Sequence, residues 1–235
     1  MMHYVISDIH GEYEKYLKML DRINFSENDI LFILGDVCDR GKKPVSVLRH
    51  MMMHSNIYPI MGNHDALALY LLDKFSVEIT EENCENYLSP EDLEDFNLWI
   101  EDGGITTAEE FLKLTPDERR AVLEYMHEFP YYETIDVNDK TFVLVHAGLG
   151  NFSPEKSMKD YTPEELILYR SNPEFQYTDD KSVFVIMGHT PTPFFIGIPE
   201  IYQCGQNIYI DCGACANGGR LACLCLDTLE DFYIE

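Results

Sequence analysis

Over the first 75 residues, short apolar runs alternate with longer amphipathic stretches: "HYVIS" then "EYEKYLKMLDRI", "DILFIL" then "KPVSVLRHMMMH", "IYPIM" then "HDALALYLLDKF". The runs are too short for buried helices, and the stretches between them carry helical spacing. Strand, helix, strand, helix, strand, helix predicts right-handed βαβ crossovers on a largely parallel sheet. In such sheets ligands gather at the carboxyl ends of the strands.

Residues 73 to 128 break the pattern. "SPEDLEDFNLWI" and "TPDERRAVLEYMHEF" each open with a Ser or Thr cap, a proline at the first helical position and acids in the first turn. This segment holds 17 acidic and 4 basic residues, a net of −13. It predicts an acidic helical insertion, expected as a solvated surface in preference to a substrate lid. From 131 onward strands return: "YYETIDV", "KTFVLVHAG", "SVFVIMGHT", "NIYIDCGA", "RLACLCLD" and "DFYIE", interrupted by one helical stretch, "TPEELILYRS". Two sheets, one per half of the chain, packed between helices account for this order. The expectation is an α/β fold in a single domain spanning 1–235, with the insertion at 73–128 inside it.

Composition narrows the class. The 235 residues include 42 Asp plus Glu against 17 Lys plus Arg, a net charge of −25. That argues against nucleic acid or an anionic membrane as a partner, since both need cationic surface. No apolar run approaches the roughly 18 residues of a membrane span. The start, "MMHYVISDIHG", lacks a basic n-region or a cleavable apolar segment, so a cytoplasmic protein is expected. Nothing in the pattern specifies an oligomeric state. Seven cysteines are expected as reduced, mostly buried thiols. "CGAC" at 212 to 215 matches C-x-x-C, but no second pair follows at zinc-ribbon spacing, and Cys223 and Cys225 alternate as on a strand.

Chemistry concentrates where strands end. "VISDIHG" supplies Asp8 and His10, "FILGDVCDRG" Asp36 and Asp39, "PIMGNHD" Asn63, His64 and Asp65, "VLVHAG" His146 and "VIMGHT" His189. Singly, each is a plausible turn former or helix cap. Placed on one sheet edge, they bring carboxylate, imidazole and amide oxygen into one cleft. Mixed O and N ligands suit Mn²⁺, Fe or Zn²⁺ better than Ca²⁺, and the lack of thiolate disfavours a structural zinc. There are more ligands than one ion needs, and two ions sharing a carboxylate is the economical solution.

The ordered series D-x-H-G, G-D-x-x-D-R-G, G-N-H-D, H-A-G and G-H-T closely resembles the calcineurin-like metallophosphoesterases. The D-R-G ending is similar to the phosphoprotein phosphatase (PPP) family, in its short bacterial and phage serine/threonine phosphatases. The likeness runs from Asp8 to "IDCGA" at 210 to 214. It includes "WIEDGGITT" at 99 to 107, which looks like the W-x-x-N-G-G-x-x-T of those relatives.

The resemblance implies two mixed β-sheets packed as a central sandwich flanked by helices, and a dinuclear centre of two divalent ions, with Mn²⁺ first choice. Asp8 and His10 would hold the first ion, Asp36 would bridge, and Asn63, His146 and His189 would complete the second. His64 would be the general acid, oriented by Asp39. Arg40 and Arg170, with Asn63, would meet the phosphoryl oxygens. Arg170 is assigned by its place in "LILYRS", where the tryptophan usual two residues earlier is missing. Hydroxide held between the ions would attack phosphorus in line, without a phosphoenzyme.

Two departures bear on the branch. Residue 65 is Asp where protein phosphatases read Glu, and Pro191 stands where phosphodiesterases of the superfamily carry a second His. Pro191, Asp39 and Arg40 together favour a phosphomonoesterase, most simply a serine/threonine protein phosphatase acting on a phosphoprotein or small phosphoester. The alternatives are a symmetric dinucleoside tetraphosphate hydrolase and, in another class, a non-catalytic metal-binding regulator. Cys38 is expected as a buried filler, with oxidative inactivation beside the metals as the alternative.

Overall fold

The computed structural model describes residues 1–77, 80 and 88–235. Cys84 lies outside the described residues. Among the described residues, ten strands form two five-stranded sheets. The first has the order β10-β9-β1-β2-β3, where β1 is His3–Ile6, β2 Ile30–Ile33, β3 Ile57–Pro59, β9 Leu221–Cys225 and β10 Asp231–Ile234. The second has the order β4-β5-β6-β8-β7, with β4 Tyr132–Val137, β5 Lys140–Val145, β6 Val183–Met187, β7 Tyr202–Cys204 and β8 Asn207–Tyr209.

The sheets do not divide at the middle of the chain as expected. β9 and β10 return from the far end and extend the first sheet antiparallel to β1, with Ile6 opposite Cys223 and Tyr4 opposite Cys225. Strand-like alternation in "LACLC" marks the element, but nothing in its composition says which sheet edge it joins.

Both faces of the central strands are apolar, the pattern of a sheet covered on each side. Val5, Phe32 and Leu34 pack inward against Phe142, Leu144, Phe184 and Ile186 of the second sheet. Their neighbours Tyr4, Ile6, Leu31 and Ile33 pack outward against α1 (Tyr13–Arg22), α2 (Pro44–Met52) and α3 (Asn63–Ser76). The second sheet's outer face, with Val145, Val185 and Met187, is covered by Leu166 and Ile167 of α7 (Pro163–Ile167) and by Tyr161 and Tyr177. The two inner faces make one sandwich, with helical or loop cover outside.

Where it is described, the segment expected as an insertion is helical: α4 (Pro90–Trp99), a kinked turn over Ile100–Gly104 in which Gly103 leaves helical geometry, α5 (Ile105–Leu112) and α6 (Pro116–His127). Ser89 and Thr115 cap α4 and α6 as expected, each ahead of a first-turn proline, and with Asp92 and Glu118 they form capping boxes. Sequence periodicity missed α5, the short β7, and the single turn α8 (Pro193–Ile196). The helix expected over 162–171 stops at Ile167, leaving Arg170 on the following loop.

Candidate functional site

β1, β2 and β3 run parallel in one sheet, and β5, β6 and β8 run parallel in the other. Their carboxyl ends converge on a cleft of about 310 Å³, lined among others by Asp8, His10, Asp36, Asn63, His64 and His189. Arg40 and Arg170 line the same cleft, and Arg170 Nη1 donates to Thr190 Oγ1 at 3.2 Å. His146 sits fully buried beneath, its ring 5.0 Å from that of His189. Asp39 is fully buried behind His64. Every residue expected as a metal ligand, proton donor or phosphate-binding group is thus brought to the cleft or directly behind it.

The backbone is strained to do this. Asp8, His10, Asp36, Asp39, Arg40 and His189 all have positive φ, six of the eleven such non-glycine residues described. Left-handed conformations cost such residues roughly 1–3 kcal/mol each and persist only where surrounding structure enforces them. The enforcement is visible at Gly62. A Cβ there would lie 2.2 Å from the Asp36 amide nitrogen, so glycine lets the loop after β2 press on the start of α3. Asp36 Oδ1 then accepts the His64 amide at 3.0 Å, in the first turn of α3.

Asp65 explains its own departure from the expected Glu. It is fully buried and accepts the amides of Val37 and Cys38 at 3.0 and 2.9 Å and that of Gly62 at 3.2 Å. The shorter carboxylate thereby ties the "GDVCDRG" loop to α3. Cys38 is fully buried against it, and burial pushes its thiol pKa well up, with the Asp65 charge adding to the effect. That is the environment of an inert thiol, consistent with a buried filler.

The donor set fits cations. His146 Nδ1 donates to the Leu34 carbonyl at 2.6 Å, which leaves Nε2 as a lone pair. That lone pair faces Asn63 Oδ1 at 3.0 Å and Asp36 Oδ1 at 3.5 Å, acceptors meeting with no hydrogen between them. His10 repeats the arrangement: Nδ1 donates to the Cys38 carbonyl at 2.9 Å, and Nε2 faces Asp36 Oδ2 at 3.5 Å. Ligand atoms of Asp36, His146 and His189 lie within 4.8 Å of one another, as do those of His10, Asp36 and His64, so Asp36 is common to both groups. Asp8 lies in neither. Its carboxylate accepts the His189 amide at 3.0 and 3.2 Å while lining the same cleft.

Electrostatics agree. Burial is the main cause that raises Asp8 to about 7 and Asp36 to about 6. Asp211 is pushed well above the carboxylate range by burial and by Asp8. Burial holds His189 down at about 3 and His10 well below its ordinary value. Neutral imidazoles beside destabilised carboxylates make a site that a cation relieves. A protein cation already leans in, with Arg40 donating to His10 Nε2 at 2.9 Å and to His64 Nε2 at 2.8 Å.

Asp39 is held from three sides. Its Oδ2 accepts from His64 Nδ1 at 2.8 Å and from Trp99 Nε1 at 2.9 Å, and its Oδ1 from Thr107 Oγ1 at 2.7 Å. Trp99 and Thr107 come from the acidic insertion and are essentially inaccessible. At the kink between them, Gly103 adopts φ 104 and its carbonyl accepts the Arg40 amide at 3.0 Å; a Cβ there would lie 2.7 Å from Arg40 Cγ. The expectation of a solvated surface is therefore corrected for this stretch: the insertion builds a wall of the cleft. Burial, the largest effect on His64, pulls its pKa down, but the Asp39 hydrogen bond and the Asp36 charge outweigh it and the net shift is upward.

Sequence reasoning missed Asp211 and Asp102, both in the cleft. Asp211 follows the strand run "NIYI" by the same rule that found Asp8, so its signal was present. Cys215 also reaches the cleft, whereas Cys212 is buried and its Sγ accepts from Thr192 Oγ1 at 3.5 Å. That places only one cysteine of the C-x-x-C at the site.

Among known proteins, the family profile described as calcineurin-like phosphoesterase matches residues 1–208. The chain belongs to the calcineurin-like phosphoesterases. That family uses divalent metal ions, and the two His/Asp groups around Asp36 are of a kind that could hold them. The chain is 38% identical over 102 residues to the symmetrical bis(5'-nucleosyl)-tetraphosphatase of Wigglesworthia glossinidia brevipalpis, covering 43% of this phosphoesterase and 38% of that protein. It is 25% identical over 228 residues to serine/threonine-protein phosphatase 2 of Escherichia coli (strain K12), covering 93% and 90% of the two chains. The matches thus span less than half of some tetraphosphatase relatives and nearly all of that protein phosphatase. In fold, a crystal structure of a provisionally assigned diadenosine tetraphosphatase superposes with a TM-score of 0.65 at 18% identity, covering 99% of this chain and 92% of the other. Among the described residues, no helix is long and apolar enough to cross a membrane.

Proposed function

We propose that this phosphoesterase hydrolyses phosphomonoesters, with phosphoserine and phosphothreonine in proteins as its substrate class. The observation that carries the reading is the Asp39–His64 pair. Asp39 binds Nδ1 of His64 and so turns Nε2 into the cleft, where the protonated ring can donate to a leaving oxygen. A serine or threonine alkoxide is a poor leaving group that needs this proton, whereas a nucleoside diphosphate leaves readily without it. Trp99 and Thr107 fix Asp39, so the acid is oriented before substrate arrives.

Two divalent ions, Mn²⁺ by preference with Fe or Zn²⁺ compatible, would supply water ionised near neutral pH and positive charge for the phosphoryl oxygens. Asp8, His10 and Asp36 would hold one; Asp36, Asn63, His146 and His189 would hold the other. Arg40 and Arg170 would turn from His10, His64 and Thr190 onto the equatorial oxygens, where planar guanidinium donors match phosphate geometry. Asn63 would also reach the phosphoryl group from the start of α3. Pro191 would leave no second imidazole after His189, as suits a monoester.

A second reading, hydrolysis of dinucleoside tetraphosphates, is supported by the 38% local identity to a symmetrical tetraphosphatase. It is also supported by Phe194, an aromatic ring 80% exposed at the rim of the cleft, where a base could stack. The deciding experiment compares kcat/KM on a phosphoserine or phosphothreonine peptide and on diadenosine tetraphosphate with the same enzyme preparation. Faster peptide turnover supports the protein phosphatase; faster release of nucleoside diphosphate overturns it.

A further inference from the structure

We propose that Asp102 sets the charge preference of the leaving-group side of the cleft, favouring phosphoesters whose leaving group is neutral or cationic over those whose leaving group is an anion. The proposal rests on the reading of His64 as proton donor to the leaving oxygen.

Asp102 Oδ2 lies 3.6 Å from His64 Nε2, and Oδ1 lies 3.4 Å from Arg40 Nη2. Its side chain is 65% exposed at the cleft, so its charge is not silenced by burial. The placement is enforced rather than incidental. The kinked turn carries it, and the next residue, Gly103, is locked to Arg40 through the backbone. An oxygen that takes a proton from Nε2 sits about 3 Å from that nitrogen. The first atoms of any leaving group therefore fall within a few ångströms of the Asp102 carboxylate.

Arg40 offsets that carboxylate only while the two are paired. Once Arg40 turns to the phosphoryl oxygens and the His64 proton passes to the leaving oxygen, Asp102 faces the departing group without a paired cation. Phe194, Pro191 and Ala216 line the cleft as well and bring no charge of their own. A hydroxyl-bearing side chain flanked by lysine or arginine would be drawn in, whereas a leaving nucleoside diphosphate would be repelled. A full unit charge several ångströms away in a half-solvated cleft shifts relative affinity by on the order of fivefold to tenfold. Salt would weaken the effect.

The test uses three aryl phosphates matched in leaving-group acidity and bearing a trimethylammonium group, no charge or a sulfonate. kcat/KM is measured for the metal-loaded wild type and Asp102→Asn. Calorimetric binding of the corresponding non-cleavable arylmethylphosphonates provides a readout independent of turnover. The wild type is expected to favour the cationic over the anionic member about fivefold to tenfold in both assays. That ratio should collapse toward one in Asp102→Asn, and also in the wild type at high salt. A ratio unchanged by Asp102→Asn, or already near one in the wild type, overturns the role of Asp102. Failure of the wild type to turn over the neutral aryl phosphate would instead count against the phosphomonoesterase reading itself.

Discussion

The cleft has two walls of different origin. One is made by the ends of β1, β2, β3, β5 and β6, where Asp8, His10, Asp36, His146 and His189 sit on short loops after the strands and Asn63 opens α3. The other is made by the helical insertion, where Trp99, Asp102, Gly103 and Thr107 reach the site from a kinked turn and the helices on either side of it. The sheet wall carries the groups that would bind metal. The insertion wall carries none of them, yet it holds Asp39, and through Asp39 it holds His64. A rigid sheet edge fixes where charge is placed, and the insertion fixes how the proton donor is aimed.

Changes to the sheet wall should have the largest effects. Asp36→Asn removes the carboxylate common to both ligand groups, and activity should fall by about 10³-fold or more, since charge stabilisation is usually the largest catalytic contribution. Stabilisation of the fold by added Mn²⁺ should disappear with it, as a melting series with and without metal would show. A smaller, selective loss is expected at His64→Asn. The variant should bind metal normally while losing about 10²–10⁴-fold on alkyl phosphates, and far less on p-nitrophenyl phosphate. Equal losses on both substrates would remove His64 from the proton-donor role.

Trp99→Phe probes the insertion wall, because it deletes one hydrogen bond to Asp39 and keeps the aromatic packing. Turnover on alkyl phosphates should fall about tenfold while metal affinity is kept. A loss of metal affinity matching that of Asp36→Asn would erase the distinction between the walls.

The sheet wall should also show itself through pH. Asp8 and Asp36 have folded-state pKa values of about 7 and about 6, raised chiefly by burial above their unfolded values. From about pH 4 to 7 the unfolded chain has therefore already released protons that the folded, metal-free protein still holds. Stability from these groups is full below the unfolded pKa and is lost as pH rises toward 7. His10 and His189, held by burial below the ordinary value of 6.5, contribute the opposite slope over the lower part of that window. The carboxylate effect is therefore read against Asp36→Asn: the metal-free wild-type Tm should fall relative to the variant's as pH rises, and a wild-type Tm that rises relative to it would contradict the burial argument. The smallest effect belongs to Cys38→Ser, for which peroxide sensitivity should be unchanged because the thiol is inaccessible.

How much was legible in the sequence follows the same division. Apolar runs that break abruptly into Asp, His and Asn mark strand ends, and parallel strands put those ends on one edge. The sheet wall could therefore be read residue by residue. Asp211 could have been found by the same rule, but its strand β8 is only three residues long. The insertion resisted because its surface positions are acidic and its caps are ordinary. What aims Trp99 and Thr107 inward is the kink at Gly103, whose left-handed conformation turns α4 into α5, and helical periodicity averages over such a feature. The return of β9 to the first sheet was hidden for a related reason, since pairing across more than 200 residues leaves no local signature.

The most direct test of the central claim, a metal-dependent phosphomonoesterase, is to strip the protein of metal, restore Mn²⁺, and compare rates on p-nitrophenyl phosphate and its bis ester. Activity should vanish on depletion, return with Mn²⁺, and be far greater on the monoester. Equal or inverted rates, or activity that survives depletion, would contradict the account.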